Sequence, residues 1–186
     1  LRSLCALFDQ YGMEVFDVQR ADRYGGNIRA YVARRGQKAV SPAVDELLAH
    51  ERDAGLFEPD QWSKWLGRVA INRDRMMTHL FHAQLTGKSV AGKSCPGRCS
   101  TLLNYYGVTP DLIPYLAELP DSLKLGHYLP GKHIPIVHEE ILFREQPDYV
   151  LLNSWHYQEP IIKRLRAAGL KSKFVVALPT FQVLDV

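Results

Sequence analysis

With 186 residues, 46% apolar and 23% charged, the chain can hold one medium domain, or one domain and part of another, and can bury a core. A formal charge of +3, from 23 basic against 20 acidic residues with no run of five Lys or Arg, excludes nucleic acid as the expected partner. No apolar run reaches the length of a membrane span, no signal peptide is visible, and three cysteines, an odd number, fit a reduced compartment, so no membrane partner and a cytoplasmic location are expected.

Leu1, Leu4, Leu7 and Phe8 recur at helical spacing, and Gly12 is placed to end that helix. The pattern is already under way at Leu1, so the chain is expected to be part of something longer. Met13 to Val18 alternates as a strand, Gln19 to Tyr24 reads as a loop, and after Gly25-Gly26 the run Asn27 to Arg34 reads as a second strand. Two strands joined across paired glycines predict an antiparallel hairpin. The glycines serve either a positive φ in the turn or the close approach of a substrate to the backbone.

Ser41 and Pro42 open a helix that Gly55 stops. A longer helix is predicted from about Pro59 to Leu85, with Trp62, Trp65, Leu66, Val69, Met76, Met77, Leu80 and Phe81 as a stripe of core packing. His79 and His82 stand three apart on it, without a carboxylate placed to complete a metal site. Surface or partly buried histidines are the expected outcome.

From Lys88 onward strands and helices alternate. Strands are predicted at Lys88 to Gly92, Leu112 to Ala117, Ile134 to Ile136, Tyr149 to Asn153 and Lys173 to Leu178, the last followed by Pro179 and a tail. Helices are predicted at Thr101 to Tyr106, Glu139 to Phe143 and Glu159 to Ala168. Continuous apolar strands between helices predict an α/β fold with a parallel, Rossmann-like sheet covered on both faces. Ligands in such sheets bind at the carboxyl ends of the strands, which here means Gly92 to Ser100, Glu118 and Asn153 to Tyr157. Strand, glycine loop and helix over Lys88 to Gly107 is a layout that receives phosphate. No G-x-G-x-x-G or P-loop spacing accompanies it, so an ordinary βα turn stays open. Cys95 and Cys99 are too few for zinc.

Three stretches carry a resemblance: TLLNYYG (101–107), HYLPGKHIPI (127–136) and PDYVLLNSW (147–155). With MEVFDVQRADRYGGNIRAYVARRG upstream, the chain resembles the C-terminal part of S-adenosylmethionine-dependent sugar C-methyltransferases, which act on nucleotide-linked keto sugars. The resemblance implies three segments: 1–40, the end of a methyltransferase domain; 41–86, a helical connection; and 87–186, a Rossmann-like C-terminal domain. In that family a general base removes the proton α to the keto group, and the enolate carbon attacks the sulfonium methyl. The glycine-rich cofactor motif, the Tyr-Glu-His catalytic motif and a zinc-binding cysteine cluster all precede the stretch matched here. No catalytic, cofactor-binding or metal-binding residue is therefore expected in residues 1–186, and S-adenosylmethionine is expected only in the intact enzyme, with the N-terminal methyltransferase domain as partner.

The substrate-side candidates are Gly25, Gly26, Lys93, Arg98, Asn104 and Trp155, facing a nucleotide sugar. The loop departs from the family: Lys93-Ser94-Cys95 replace Tyr-Gly-Ala, and Arg98-Cys99-Ser100 replace Lys-Gly-Asn. Arg98 keeps a cation for a phosphate or sugar oxygen. Tyr24 stands where the family has histidine. Ala117-Glu118-Leu119 keeps the acid of an Asp-Arg pair and loses its base. The alternative role is a non-catalytic nucleotide-sugar binding or dimerisation module, and homodimerisation stays open.

Overall fold

A computed structural model describes residues 1–22 and 25–185. The chain forms two compact units, Leu1–Gly67 and Arg68–Val186, whose boundary falls inside one long helix.

In the first unit, α1 (Arg2–Asp9) precedes the hairpin β1 (Met13–Ala21) and β2 (Asn27–Arg34), antiparallel with a bulge between Val15 and Asp17. The segment Gln19–Ala21, expected as loop, continues β1 because Gln19, Arg20 and Ala21 pair with Arg29, Ile28 and Asn27. Helix α2 (Pro42–Asp53) starts where the sequence places it: Ser41 Oγ accepts from the Ala43 N–H at 3.3 Å, and Pro42 needs no intrahelical donor. Leu1, Val15, Val18, Val44 and Leu47 close a small core between hairpin and helices.

Helix α3 (Pro59–Leu85) has the predicted bounds but not the predicted face. Met76, Leu80 and Ala83 are buried on the sheet of the second unit, while Trp62, Trp65, Leu66 and Phe81 are exposed. The stripe is core packing only in part, because burial requires a sheet beneath the helix as well as the right period.

The second unit carries β3 (Val90–Lys93), α4 (Gly97–Tyr106), β4 (Leu116–Glu118), β5 (Ile136–His138), α5 (Glu140–Glu145), β6 (Tyr149–Leu152), α6 (Gln158–Ala167), β7 (Lys173–Val176) and β8 (Gln182–Leu184). The sheet order is β5-β4-β3-β6-β7-β8, parallel except for β8. This is a Rossmann-like α/β sheet whose strand order reverses between β3 and β6. Side chains alternate between its faces: Val90, Leu116, Leu151 and Val175 pack with α3 and α4, and Ala91, Ala117, Val150 and Phe174 with α5 and α6.

Three expectations are corrected here. The strand expected over Leu112–Ala117 is only Leu116–Glu118, since the N–H groups of Leu112 and Ile113 turn back to Thr109 O and Pro114 has none to give a ladder. Helix α4 starts at Gly97, four residues before Thr101, because extended Pro96 lets its carbonyl receive the Cys99 N–H at 2.8 Å. The tail after Pro179 returns as strand β8, its turn held by Asn72, which donates to Pro179 O at 2.6 Å and accepts from the Phe181 N–H at 3.2 Å. His79 lies between the rings of Tyr149 and Phe181, with no metal-binding cluster among the described residues. No helix among them is long and apolar enough to cross a membrane.

Candidate functional site

The carboxyl ends of β3, β4 and β6 form one rim, and the order of the sheet reverses at its centre. The turn leaving β3 is held from both neighbouring strands. Ser94 takes the left-handed conformation, φ 70°, unusual for a side chain that is not glycine. Its N–H donates to Ala117 O at 2.9 Å, and its carbonyl accepts from Asn153 Nδ2 at 2.8 Å. The Asn153 N–H in turn donates to Lys93 O at 3.1 Å. Asn153 is fully buried, and its Oδ1 meets no donor among the described residues. A buried acceptor without a donor costs free energy, which makes Asn153 a functional candidate at the switch point.

Glu118, at the tip of β4, is buried and holds the same turn. Its Oε1 accepts from the Cys95 N–H at 2.7 Å and its Oε2 from the Leu119 N–H at 3.4 Å. Lys124 Nζ lies 3.5 Å from Glu118 Oε1 and donates to Cys95 O at 2.6 Å. The base that the sequence lacks beside Glu118 is thus supplied in space by a lysine six residues on. No sequence pattern could announce it, because a loop between Glu118 and Lys124 brings the amine back.

The six residues singled out from the sequence fall in four places. Gly25 and Gly26 lie in the exposed hairpin turn of the first unit, with φ of 86° and 116°, so the turn conformation alone accounts for them. Tyr24 lies outside the described residues. Lys93, the last residue of β3, points into the fold and is 1% exposed. Its Nζ sits 3.0 Å from Glu139 Oε2 and donates to Ala117 O at 3.1 Å. Glu139 also receives a bidentate clamp from Arg164, at 2.8 and 2.7 Å. Burial draws the Lys93 ammonium below its ordinary pKa, against the pull of Glu139. Burial also works to raise the Glu139 carboxyl, but the hydrogen bonds of Arg164 and Lys93 outweigh it and hold the group below the usual carboxylate range.

Arg98, in the first turn of α4, is exposed, with its guanidinium 5.5 Å from the centre of the Trp155 ring. Trp155 opens a short 3-10 turn, Trp155–Tyr157, after β6 and packs on the cores of both sheet faces. Asn104 lies almost two turns further along α4 and is structural: its Nδ2 donates to Ser100 O at 2.7 Å and Pro130 O at 2.9 Å. The loop beyond is shaped to it. A Cβ on Gly131, itself at φ 86°, would stand 2.3 Å from Asn104 Oδ1.

The rim therefore carries an arginine in cation–π range of a tryptophan, a lysine-carboxylate pair and a buried amide with a spare acceptor, all about one turn that two strands hold. Such a rim can grip an anionic, hydroxyl-bearing ligand, while every carboxylate of the buried network is already engaged.

Residues 22–179 match the family described as the C-methyltransferase C-terminal domain. The whole chain aligns with the C-methyltransferase NovU of Streptomyces niveus at 35% identity over 189 residues. The chain spans 44% of that relative, under half of its length. Matched over most of its length, the chain belongs to the C-methyltransferase C-terminal domain family.

Proposed function

We propose that the second unit supplies the substrate-side wall of an S-adenosylmethionine-dependent C-methyltransferase, receiving the diphosphate of a nucleotide-linked keto sugar at the β3–β6 crevice. The convergence of Arg98, Trp155 and Asn153 at the switch point of the sheet carries this reading. Arg98 takes a phosphate oxygen while its plane stays on the indole, and a sugar or ribose hydroxyl donates to Asn153 Oδ1. Lys93 supports the crevice from below through Glu139 and does not touch the ligand. Gly25 and Gly26 shape the hairpin turn of the first unit and are given no part in this site.

The methyl donor of the intact enzyme is S-adenosylmethionine, and the residues of this crevice do not fit it. Gly92 is not kept clear for a ligand: a Cβ there would lie 2.3 Å from Leu116 Cδ2, so the glycine accommodates packing. Glu118, at the strand end where an acid would receive ribose hydroxyls, already accepts two N–H groups and pairs with Lys124. The relative's greater length supports a cofactor-binding and catalytic part outside residues 1–186.

Titration calorimetry tests the assignment. A thymidine- or uridine-diphosphate sugar should bind this chain weakly, because one wall of the site is present, and S-adenosylhomocysteine should give no heat. Tight S-adenosylhomocysteine binding would overturn the placement of the cofactor, and silence toward both sugar nucleotides would remove the substrate role.

A further inference from the structure

Within the second unit, α3 and the turn into β8 border an open-sided cavity of about 680 Å³. That size falls in the range of small-molecule sites. The cavity is separate from the β3–β6 crevice, since neither Arg98 nor Trp155 lines it.

Two chemistries meet there. Arg75, Thr78 and His82 line it from positions i, i+3 and i+7 of α3, and so from one face of the helix, away from the Met76, Leu80 and Ala83 face that packs on the sheet. All three are exposed, and among the described residues none of their side chains makes a hydrogen bond or an ion pair. A guanidinium, a hydroxyl and an imidazole are thus left to donate to an acceptor from outside. Asp74 also lines the cavity, but Arg73 holds its carboxylate at 2.8 Å. The opposite side is apolar, formed by Ile71 and Phe181, with the His79 ring between Phe181 and Tyr149 at 5.6 and 4.6 Å between centres. Burial first, and then the neighbouring His82, draw the His79 pKa below its ordinary value, so this ring serves as a neutral wall. Asn72 ties the turn that carries Phe181 to α3, accepting the Phe181 N–H at 3.2 Å and donating to Pro179 O at 2.6 Å. The wall is therefore in place before any ligand arrives, which lowers the cost of ordering it.

We propose that this cavity is a second binding site, which takes an organic anion built of a planar apolar ring and one oxyanion head, a phosphate or a carboxylate. Arg75 receives two oxygens of the head, Thr78 and His82 donate to it, and the ring lies against Ile71 and Phe181. Inorganic phosphate would leave the apolar wall wet, and a neutral aromatic would leave Arg75 without an anion, so the site calls for both parts in one molecule.

Phenyl phosphate and benzoate, titrated separately into the chain while the histidine Cε1 protons are followed by NMR, test the assignment. The resonances of His79 and His82, identified with His79→Gln and His82→Gln, should shift and saturate, and the tighter of the two ligands names the head. Inorganic phosphate and benzyl alcohol should bind at least tenfold more weakly. Arg75→Ala should weaken binding about tenfold, Ile71→Ser severalfold, and Arg98→Ala not at all. Arg75 and Ile71 are both exposed, so a denaturation midpoint equal to the parent's should accompany these losses. Unmoved resonances of His79 and His82 with both ligands would overturn the proposal. So would binding that Arg98→Ala abolishes and Arg75→Ala leaves intact, which would send the anion to the crevice. Inorganic phosphate binding as tightly as phenyl phosphate would remove the ring from the ligand and the apolar wall from the site.

Discussion

Lys93 and Arg98 flank one short turn, the first ending β3 and the second in the first turn of α4, and the fold gives the two cations opposite surroundings. Lys93 is the floor of the crevice, 1% exposed and tied to Glu139, while Arg98 is its rim, exposed and stacked on Trp155. Strand parity makes the difference. Ala91 and Lys93 share the sheet face covered by α5 and α6, where Glu139 and Arg164 wait, whereas Val90 and Gly92 share the face covered by α4. A cation on the last residue of a buried strand must find a carboxylate inside the protein or unfold it, and one on the exposed first turn of a helix keeps its charge in solvent.

Glu139→Gln breaks the floor and should have the largest effect. It leaves the Lys93 ammonium buried without the carboxylate charge it pairs with, at a cost of about 3–5 kcal/mol in urea unfolding at neutral pH. The pH dependence has a definite sign. Because the folded carboxyl titrates below its ordinary value of 4.5, its contribution is complete above that value and is lost as pH falls through the lower folded one. The variant should lose less stability than the parent on acidification in that window. An equal acid response in both chains would mean that other carboxylates govern it.

Gly92→Ala tests the other face of the same strand. The new methyl would press on Leu116, fully buried in the core, and on Tyr115 O at 3.4 Å. Overpacking of this kind costs about 1–3 kcal/mol, readable as a lower midpoint of denaturation. A stability equal to the parent's would show that Leu116 has room to rotate away and that the glycine serves something other than packing.

The sequence made the elements of the first unit legible, though not the last three residues of β1 or the exposed Trp62 and Trp65, because hairpin, capped helix and glycine stops are all local signals. Ser41, Pro42 and Gly55 mark the bounds of α2 without help from the rest of the chain. The strand-helix alternation and the rim after β3, β4 and β6 were legible for the same reason. What the sequence hides is which side of a sheet a residue meets and what crosses to it. Lys93 read as a ligand contact because the opposing Glu139 is 46 residues away, and Asn104 did because its partner, Pro130, is a loop carbonyl. The strand expected over Leu112–Ala117 was begun too early, across Pro114, and the returning β8 was missed because nothing local announces the Asn72 clamp.

Arg98→Ala should do least to the fold and most to the ligand. The side chain is exposed and outside both sheet cores, so its removal should shift stability by no more than about 0.5 kcal/mol. Binding of uridine diphosphate should fall by about tenfold, the value of one charge-assisted contact, and lose part of its sensitivity to salt. Glu139→Gln should show the reverse profile, so the two variants together separate floor from rim. Arg98→Lys sharpens the distinction further, since it keeps the charge and removes the planar group that lies on Trp155. An intermediate affinity is expected. Should Arg98→Lys bind as tightly as the parent, the rim would be reading charge alone, and the stacking on Trp155 would be packing that any long side chain could supply.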